Sequence, residues 1–443
     1  MMHFRTFLFA ALFCLVPAVI LPTATLADTP LGSEFTVAAD TGYEEHRPVA
    51  LHLGGSKYVV VWHQDLPAGS GDDVKARFVI APTPILDTVF DISLGETAGS
   101  QAYPQIAEDG SGEFIVVWQS DASGRSVIRS RRFDDIGTPL ASEFSVSSAT
   151  SGELRYPAVA RSSGGPFLVV WQTDADGSED IVGHYLDSLG TPFGADLVIA
   201  SATGDESRPD VAGLGSGDFV VVWQHSNGGQ LDVEAVQVSG GSSFAVHAAT
   251  TGNQARPAVA ASSDYFLVTW QSDSDGQSQV YFRAFDNSNA ADGPETTLDA
   301  DLSQSQEQTD VVPTSEGDFV VTWSELGPPP TPEASSDFAA RGSVLLVRTR
   351  RVAGPPFAVQ PDLGRKNGVL ILNTSGYGGS YPTLAPNTDD GFLGVWQVPT
   401  GIGADMDGIR GRFVGDTDVT IFTDGFESGN LANWSSAWSS ALP

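Results

Sequence analysis

The stretch Phe219-Val220-Val221-Val222-Trp223-Gln224 decides the fold, because close copies of it recur along most of the chain. The six other copies begin with an aromatic residue and end at a tryptophan or just after it: Tyr58–Trp62, Phe114–Gln119, Phe167–Gln172, Phe266–Gln271, Phe319–Trp323 and Phe392–Gln397. A repeat of this kind indicates several similar units that bury their apolar faces against one another.

A second marker lies at a nearly constant distance before each repeat tryptophan. It is a proline 14 residues earlier in five repeats, a proline 13 residues earlier in one and a threonine 14 residues earlier in another: Pro48, Pro104, Pro157, Pro209, Pro382, Pro257 and Thr309. Chance does not maintain such a register over this length. The repeat therefore spans most of the chain.

Each repeat has the pattern of four short strands separated by Gly, Ser, Asp and Pro turns. Each of the following examples comes from a different repeat; in order from strand A to strand D they are Pro157–Ala160, Phe219–Gln224, Val280–Phe285 and Glu143–Val146. Strand B is apolar on both faces, as is required between two neighbouring blades. Immunoglobulin-like sandwiches would need about 100 residues each. The sequence predicts an all-β, seven-bladed β-propeller with four-stranded blades.

The two ends of the repeat region are predicted to meet. Blade seven has patterns for strands A to C, the last at Gly408–Phe413, but no good strand D. Ser33–Val37 has the strand D pattern and precedes the first strand A. We therefore expect this N-terminal strand to complete the last blade, which places the propeller at residues 28–415.

Blade six is irregular in sequence. The Pro-rich loop 327–340 interrupts the connection between its strands B and C, and its strand D is best placed at Val369–Leu372. Residues 353–368 then form an extra excursion.

Residues 1–27 read as a secretory signal peptide. Arg5 precedes the apolar run Phe7–Leu21, and small residues end at Ala27. A membrane anchor needs about 20 uninterrupted apolar residues, which Pro17 and Pro22 break up. The only cysteine, Cys14, lies inside this segment. We expect a protein that is secreted or on the cell surface, without disulfides, thiolate metal sites or a transmembrane segment in the mature chain.

The chain is strongly acidic, with a formal net charge of −33 that becomes −34 when the segment carrying Arg5 is removed. Such a surface repels nucleic acid and anionic lipid, so neither is expected as a partner. The charge is explained by solubility or, alternatively, by attraction for cations. A monomer is expected.

Two resemblances point to bacteria. Asp424-Gly425-Phe426-Glu427-Ser428-Gly429, followed by Trp434 and Trp438, resembles a C-terminal segment of many secreted Gram-negative proteins, so 416–443 is interpreted as a sorting-like tail. The repeat resembles the Phe-Val-Val-x-Trp-Gln repeats of bacterial extracellular propellers, most of them without assigned activity. Both resemblances imply export, and neither implies a reaction.

Acidic turns between strands B and C are candidate cation sites. In Asp174–Asp180, carboxylates at two-residue spacing accompany Gly177, which suits the six to eight oxygen ligands of Ca²⁺. The loop resembles the end of the calcium loop of integrin-type propeller repeats, although Gln172 stands at that loop's first Asp. The proposed ligands are Asp174, Asp176 and Asp180. The alternative is an ordinary hairpin turn that uses Asp and Gly.

A second candidate site surrounds the channel. In six blades the residue before the blade proline is Arg or Tyr: Arg47, Tyr103, Tyr156, Arg208, Arg256 and Tyr381. A ring of such side chains at the channel mouth would bind an anion, a glycan or a peptide by stacking and forked hydrogen bonds. The alternative is structural, with each Arg paired to a neighbouring acidic loop and each Tyr packed on the next blade.

Enzyme motifs are absent from the sequence, including His-Glu-x-x-His, phosphate loops and the Asp boxes of sialidases. The first hypothesis is therefore a non-catalytic binding module with a protein, peptide or glycan ligand. A propeller glycosidase or lyase and a Ca²⁺-stabilised structural surface protein are the alternatives.

Overall fold

A computed structural model of the protein describes residues 29–38, 43–66, 71–94, 99–249, 251–274, 276–299, 304–327, 344–353, 355, 358–359, 370–371, 380–388, 391–398 and 408–415. Within these ranges the regular elements are β-strands, and they form seven antiparallel sheets. The predicted fold class, a seven-bladed β-propeller, is confirmed. None of the described residues forms a helix long and apolar enough to cross a bilayer.

The strands of each blade follow the predicted order from A, nearest the channel, to D at the rim. Blades one to three comprise Glu45–His52, Lys57–Asp65, Asp72–Ile80, Ile85–Leu86 and Phe90–Asp91; Gln101–Glu108, Phe114–Ser120, Val127–Phe133 and Phe144–Ser145; and Leu154–Arg161, Phe167–Thr173, Asp180–Leu186 and Pro192–Ala200. Blades four and five comprise Asp205–Gly213, Phe219–Asn227, Gln230–Gln237 and Phe244–Ala245; and Gln254–Ala261, Tyr265–Ser272, Gln279–Asp286 and Thr296–Thr297. Blades six and seven comprise Gln306–Pro313, Phe319–Gly327, Val344–Ala353, Ala358–Val359 and Leu370–Ile371; and Ser380–Pro386, Phe392–Val398 and Gly408–Gly415, joined by Thr29–Pro30 and Phe35–Ala38.

The N-terminal strand closes the ring as predicted. Phe35–Ala38 pairs antiparallel with Gly408–Gly415 and supplies the missing outer strand of blade seven. The Phe35 and Phe413 rings lie 5.4 Å apart, and Val37 is fully buried. Closure by a strand from the opposite end of the chain removes a long open sheet edge.

The core lies between the blades, where the repeat tryptophans are buried. All seven are at most 1% exposed. Trp223 of blade four packs in one cluster with Leu168 and Val170 of blade three, and every residue of the blade-three strand B, Phe167–Thr173, is buried. The double-sided apolar pattern thus results from packing against a neighbour on each face.

Each innermost strand contains a β-bulge at the marker position. The pairing register with strand B shifts there in all seven blades, and the residue before the marker has a positive φ of 48 to 55°. Proline has no N–H to donate to the ladder, and a bulge takes it out of the pairing and redirects the neighbouring side chain. The same local distortion is therefore repeated around the channel.

Blade six follows the prediction where it is described. Leu370–Ile371 pairs with strand C inside the predicted 369–372 segment, and Ala358–Val359 pairs with the same strand from within the excursion. The signal peptide 1–27, the tail 416–443, residues 328–340 of the Pro-rich loop and most of the excursion lie outside the described residues.

Candidate functional site

The bulges of all seven blades surround one cavity of about 280 Å³ on the propeller axis. Each blade contributes three consecutive residues, and the first of these is the residue with positive φ. All six Arg and Tyr residues predicted at the channel mouth line this cavity, and Gln308 of blade six completes the ring: Arg47, Tyr103, Tyr156, Arg208, Arg256, Gln308 and Tyr381.

The glutamine that ends the repeat motif, or a substitute for it, positions four of the ring residues: Arg47, Arg208, Arg256 and Tyr381. Its side-chain oxygen accepts a hydrogen bond from the backbone N–H of the ring residue in the next blade, at 3.0 Å from Gln172 to Arg208 and 3.3 Å from Gln224 to Arg256. In blade six, where Ser324 follows the tryptophan, Gln308 takes over this role and accepts from the Tyr381 N–H at 2.7 Å. The motif thus holds both the core and the ring.

Arginines and tyrosines stack on one another around the ring. The Arg47 guanidinium lies between two rings, 4.6 Å from the centroid of Tyr103 and 4.3 Å from that of Tyr381. Arg208 lies 5.0 Å from the Tyr156 ring, and Tyr103 meets Tyr156 edge to face at 4.8 Å. Cation–π stacking covers a guanidinium face and leaves its N–H edge available for hydrogen bonds.

The three ring arginines have no acidic partner among the described residues. Neither Arg47, Arg208 nor Arg256 forms an ion pair there, although the chain carries 55 acidic residues. Burial, and then repulsion from Arg256, lowers the pKa of Arg208. The tyrosines do pack on neighbouring blades, as the structural alternative expected, but pairing of these arginines with acidic loops is not found in the described part of the chain.

Two carboxylates that sequence reasoning missed, Asp210 and Asp310, line the same cavity. Asp210 accepts the N–H groups of Val211 at 2.9 Å and of Val259, in the next blade, at 2.8 Å. Burial raises the pKa of Asp210 to about 7 and that of Asp310 to about 6. Protein surrounds both carboxylates, yet both are partly accessible through the channel. The sequence signal that could have identified both carboxylates as channel residues is their position, two residues after a ring residue.

The predicted cation ligands lie in the hairpin between strands B and C of blade three, where Asp176 is exposed, Asp174 is half-buried and Asp180 is the half-buried first residue of strand C. Asp174 accepts the Glu153 N–H at 2.7 Å, and Asp176 accepts the Ser178 N–H at 3.3 Å. Burial, followed by repulsion from Asp176, raises the pKa of Asp180 to about 6. These contacts are those of a hydrogen-bonded hairpin turn, and Ca²⁺ binding by Asp174, Asp176 and Asp180 stays a prediction.

Among the described residues, one group of three acidic or histidine side chains has ligand atoms all within 4.8 Å of one another: Glu44, His46 and Asp65. The Gln397 oxygen accepts the Arg47 N–H at 3.2 Å, so its amide nitrogen faces His46 Nδ1 at 2.9 Å and donates to it. His46 therefore carries its proton on Nε2, 3.3 Å from Asp65. A metal would need the lone pair of Nε2, so this group does not fit a metal ion.

Comparisons with known proteins assign this chain to no family. No protein-family model matches the chain, and no curated protein matches it. Among solved structures, a Dyadobacter fermentans protein of unknown function is 10% identical with a TM-score of 0.49, covering 88% of this chain and 99% of its own. A Penicillium chrysogenum α-L-arabinanase is 12% identical (TM-score 0.48, 87% and 99%), and a Fusarium graminearum α-L-arabinofuranosidase is 11% identical (TM-score 0.49, 89% and 99%). Fold and site together define a seven-bladed propeller with a cationic and aromatic channel.

Proposed function

We propose that this protein is a secreted, non-catalytic binding module that holds an anionic group of its ligand in the channel. One observation carries the proposal. Three guanidinium groups without an acidic partner among the described residues line one cavity, in a chain of net charge −33.

The energetics of the ring favour an anion. Arg208 is partly buried and its pKa is lowered by burial and by the like charges of Arg256 and Arg47. Removing a charge from water is costly unless it is paired and hydrogen-bonded. A bound carboxylate would supply that pairing through charge-assisted, forked hydrogen bonds. A chain rich in acids could supply partners, so arginines without them are best explained by a ligand.

Cleavage of a glycoside is the second candidate, because Asp210 and Asp310 share the cavity and have raised pKa values. Such enzymes use two carboxyl groups on either side of the scissile bond. Here each carboxylate already accepts one N–H on each of its oxygens, from its own strand and from the next blade. Those bonds suit a fixed structural and binding role, and we therefore propose binding without catalysis.

The test is a calorimetric titration of the mature protein with simple carboxylates, comparing Arg256→Gln with Arg283→Gln. Arg283 lies on strand C of the same blade and donates to the Gly293 carbonyl at 3.3 Å, away from the channel. Loss of a charge-assisted hydrogen bond corresponds to about 1.5–3 kcal/mol, so Arg256→Gln should weaken binding roughly tenfold or more. Arg283→Gln should leave it unchanged, and equal effects of both variants would refute the proposal.

Calcium binding at the loop 174–180 is proposed separately as a stabilising feature. If Asp174, Asp176 and Asp180 bind Ca²⁺, thermal unfolding should shift upward with added Ca²⁺ and return with EDTA, because a ligand of the folded state stabilises it. Asp176→Asn should abolish the shift. A melting temperature that does not respond to Ca²⁺ would remove this proposal and leave the channel proposal untouched.

A further inference from the structure

We infer that the ligand group held in the channel is a hydroxylated carboxylic acid of the size of one sugar ring, a uronic acid. The inference rests on the proposed function, since the arginine ring is taken to hold the carboxylate. The deeper residues of the cavity, Asp210 and Asp310 among them, define the chemistry of the rest of the ligand.

The cavity has two polar layers along its axis. The ring residues form the outer layer, at the bulges within the first four residues of the innermost strands. Asp210 and Asp310 each lie two residues further along their strands than Arg208 and Gln308, beyond the bulge, and both are less exposed than Arg256 of the ring. Cationic donors thus surround the entrance and carboxylate acceptors lie below it.

The deep carboxylates have capacity left for hydroxyl groups. In Asp310, one oxygen accepts the Val311 N–H at 2.9 Å and the other accepts the Leu384 N–H at 3.0 Å. Asp310 also accepts a hydrogen bond from the Thr383 side chain. Among the described residues, Asp210 accepts only the Val211 and Val259 N–H groups, and because each carboxylate oxygen has two lone pairs, one remains on each oxygen of Asp210. Gln105 and Thr383 line the same layer in other blades. This layer suits a ligand with several hydroxyl donors.

The aromatic part of the lining suits the apolar face of a sugar ring, since Tyr103, Tyr156 and Tyr381 belong to it. Six prolines stand between the two layers in sequence, one in every blade except the sixth, and are buried: Pro48, Pro104, Pro157, Pro209, Pro257 and Pro382. The volume of about 280 Å³ is just below the range of about 300–1,000 Å³ for small-molecule sites. The cavity therefore fits one ring, with any further sugars outside the mouth.

Two other classes of carboxylate fit less well. An α-amino acid carries its ammonium on the carbon next to its carboxylate, so binding of the carboxylate by the ring would bring the ammonium close to the three arginines, which repel it. A plain dicarboxylate would bring its second negative charge next to Asp210 and Asp310. A uronic acid places its carboxylate on one side of a ring whose hydroxyls point away from it, as the two layers require.

The experiment is a calorimetric titration of the mature protein with D-glucuronate, D-glucose, glutarate and L-glutamate, repeated on Asp210→Asn and Arg256→Gln. Glucuronate should bind wild type at least tenfold more tightly than each of the others. Asp210→Asn should remove most of that preference and keep glutarate binding, whereas Arg256→Gln should weaken glucuronate and glutarate together. Asp310→Asn serves as the second variant if Asp210→Asn does not fold.

The outcomes separate the two proposals. If no carboxylate binds, or if Arg256→Gln changes nothing, the channel proposal fails and this inference fails with it. If glutarate or glutamate binds wild type as tightly as glucuronate, the anion site stands and the uronic acid inference is overturned. Tight binding of a glucuronate-terminated disaccharide, and not of free glucuronate, would place the recognised sugar outside the cavity and would also overturn it.

Discussion

At the scale of single residues, strain is concentrated at the site. Seven residues other than glycine have φ near +50° at the channel, among them Arg208 at 52° and Tyr156 at 51°. Such backbone states cost on the order of 1–3 kcal/mol each and persist where the surrounding structure fixes them. Here the bulge fixes them, together with a glutamine hydrogen bond at Arg47, Arg208, Arg256 and Tyr381. The result is that large side chains line the channel.

The positive φ of Tyr156 predicts that asparagine is tolerated better than valine at this position. Tyr156→Val should reduce the free energy of unfolding more than Tyr156→Asn does, by about 1 kcal/mol or more, because Asn tolerates positive φ and a β-branched residue does not. Urea denaturation of both variants measures the difference. At Thr296 in the rim strand of blade five, the same two substitutions should rank in the opposite order, since strands favour β-branched residues.

The buried repeat tryptophans predict a large and local loss of stability. Trp223→Ala should cost about 3–5 kcal/mol because it leaves a cavity between blades three and four. Leu189→Ala, at a position that is 65% exposed, should stay within about 0.5 kcal/mol of wild type. Equal denaturant midpoints for the two variants would contradict a core role for Trp223.

At the scale of strands, the innermost strands are linked by side chains that reach across blades. Asp210 of blade four accepts the Val259 N–H of blade five, and Asp310 of blade six accepts the Leu384 N–H of blade seven. Gln172, Gln224 and Gln397 make comparable links to the following blade. Neighbouring blades are thus held in register at the channel as well as in the core.

The raised pKa of Asp210, about 7, predicts a pH dependence of stability. The folded state binds its proton more tightly than the unfolded state does, so stability falls as pH rises through 7. Between pH 6.5 and 8.5 wild type should lose about 1 kcal/mol relative to Asp210→Asn. Stability curves for the two proteins that stay parallel over this range would refute the assignment.

A buried histidine, His63, gives a pH dependence of stability in the opposite direction, and most of it falls below this pH range. Burial, and then repulsion from His46 and Arg47, lowers the pKa of His63 to about 3. His63 is therefore neutral in the folded state, and its contribution to stability is lost only as pH falls below about 6.5, where the unfolded chain takes up a proton. The His63 contribution is the same in wild type and in Asp210→Asn, so it cancels in the difference between the two curves.

At the scale of the whole molecule, the propeller depends on closure between distant parts of the chain. Blade seven takes its strands A to C from the C-terminal part and its outer strand from Phe35–Ala38. The Gln397 side chain contacts both Arg47 and His46 across the same junction. The seam between blades seven and one is therefore held at the rim, in the core and at the channel.

Removal of residues 28–38 should weaken this closure. The variant loses the buried Val37 and the Phe35 contact with Phe413, so its melting temperature should fall by about 5 °C or more. A peptide of residues 29–38 added in excess should restore part of the loss, and the same peptide with Phe35→Ser and Val37→Ser should not. An unchanged melting temperature after deletion would show that the seam does not depend on this strand.

The sequence by itself determined the architecture, because the architecture is periodic. The constant distance from each marker to its tryptophan gave the number of blades, the buried strands and six of the seven ring residues. The seventh, Gln308, precedes the marker Thr309 but is neither Arg nor Tyr, so the predicted ring did not include it. The strand that closes the ring was found because its pattern matched a gap in the repeat.

Only the tertiary structure decided how charges are arranged at the site. Whether an arginine such as Arg256 has an acidic partner depends on side chains from other blades, far away in sequence. The same holds for Asp210: its position two residues after Arg208 indicates the channel, but only the fold shows that its carboxylate accepts the Val259 N–H of the next blade. The local periodicity of the sequence indicates which strand faces are buried. The pairing of charged side chains and their removal from water arise only when separate blades meet around one axis.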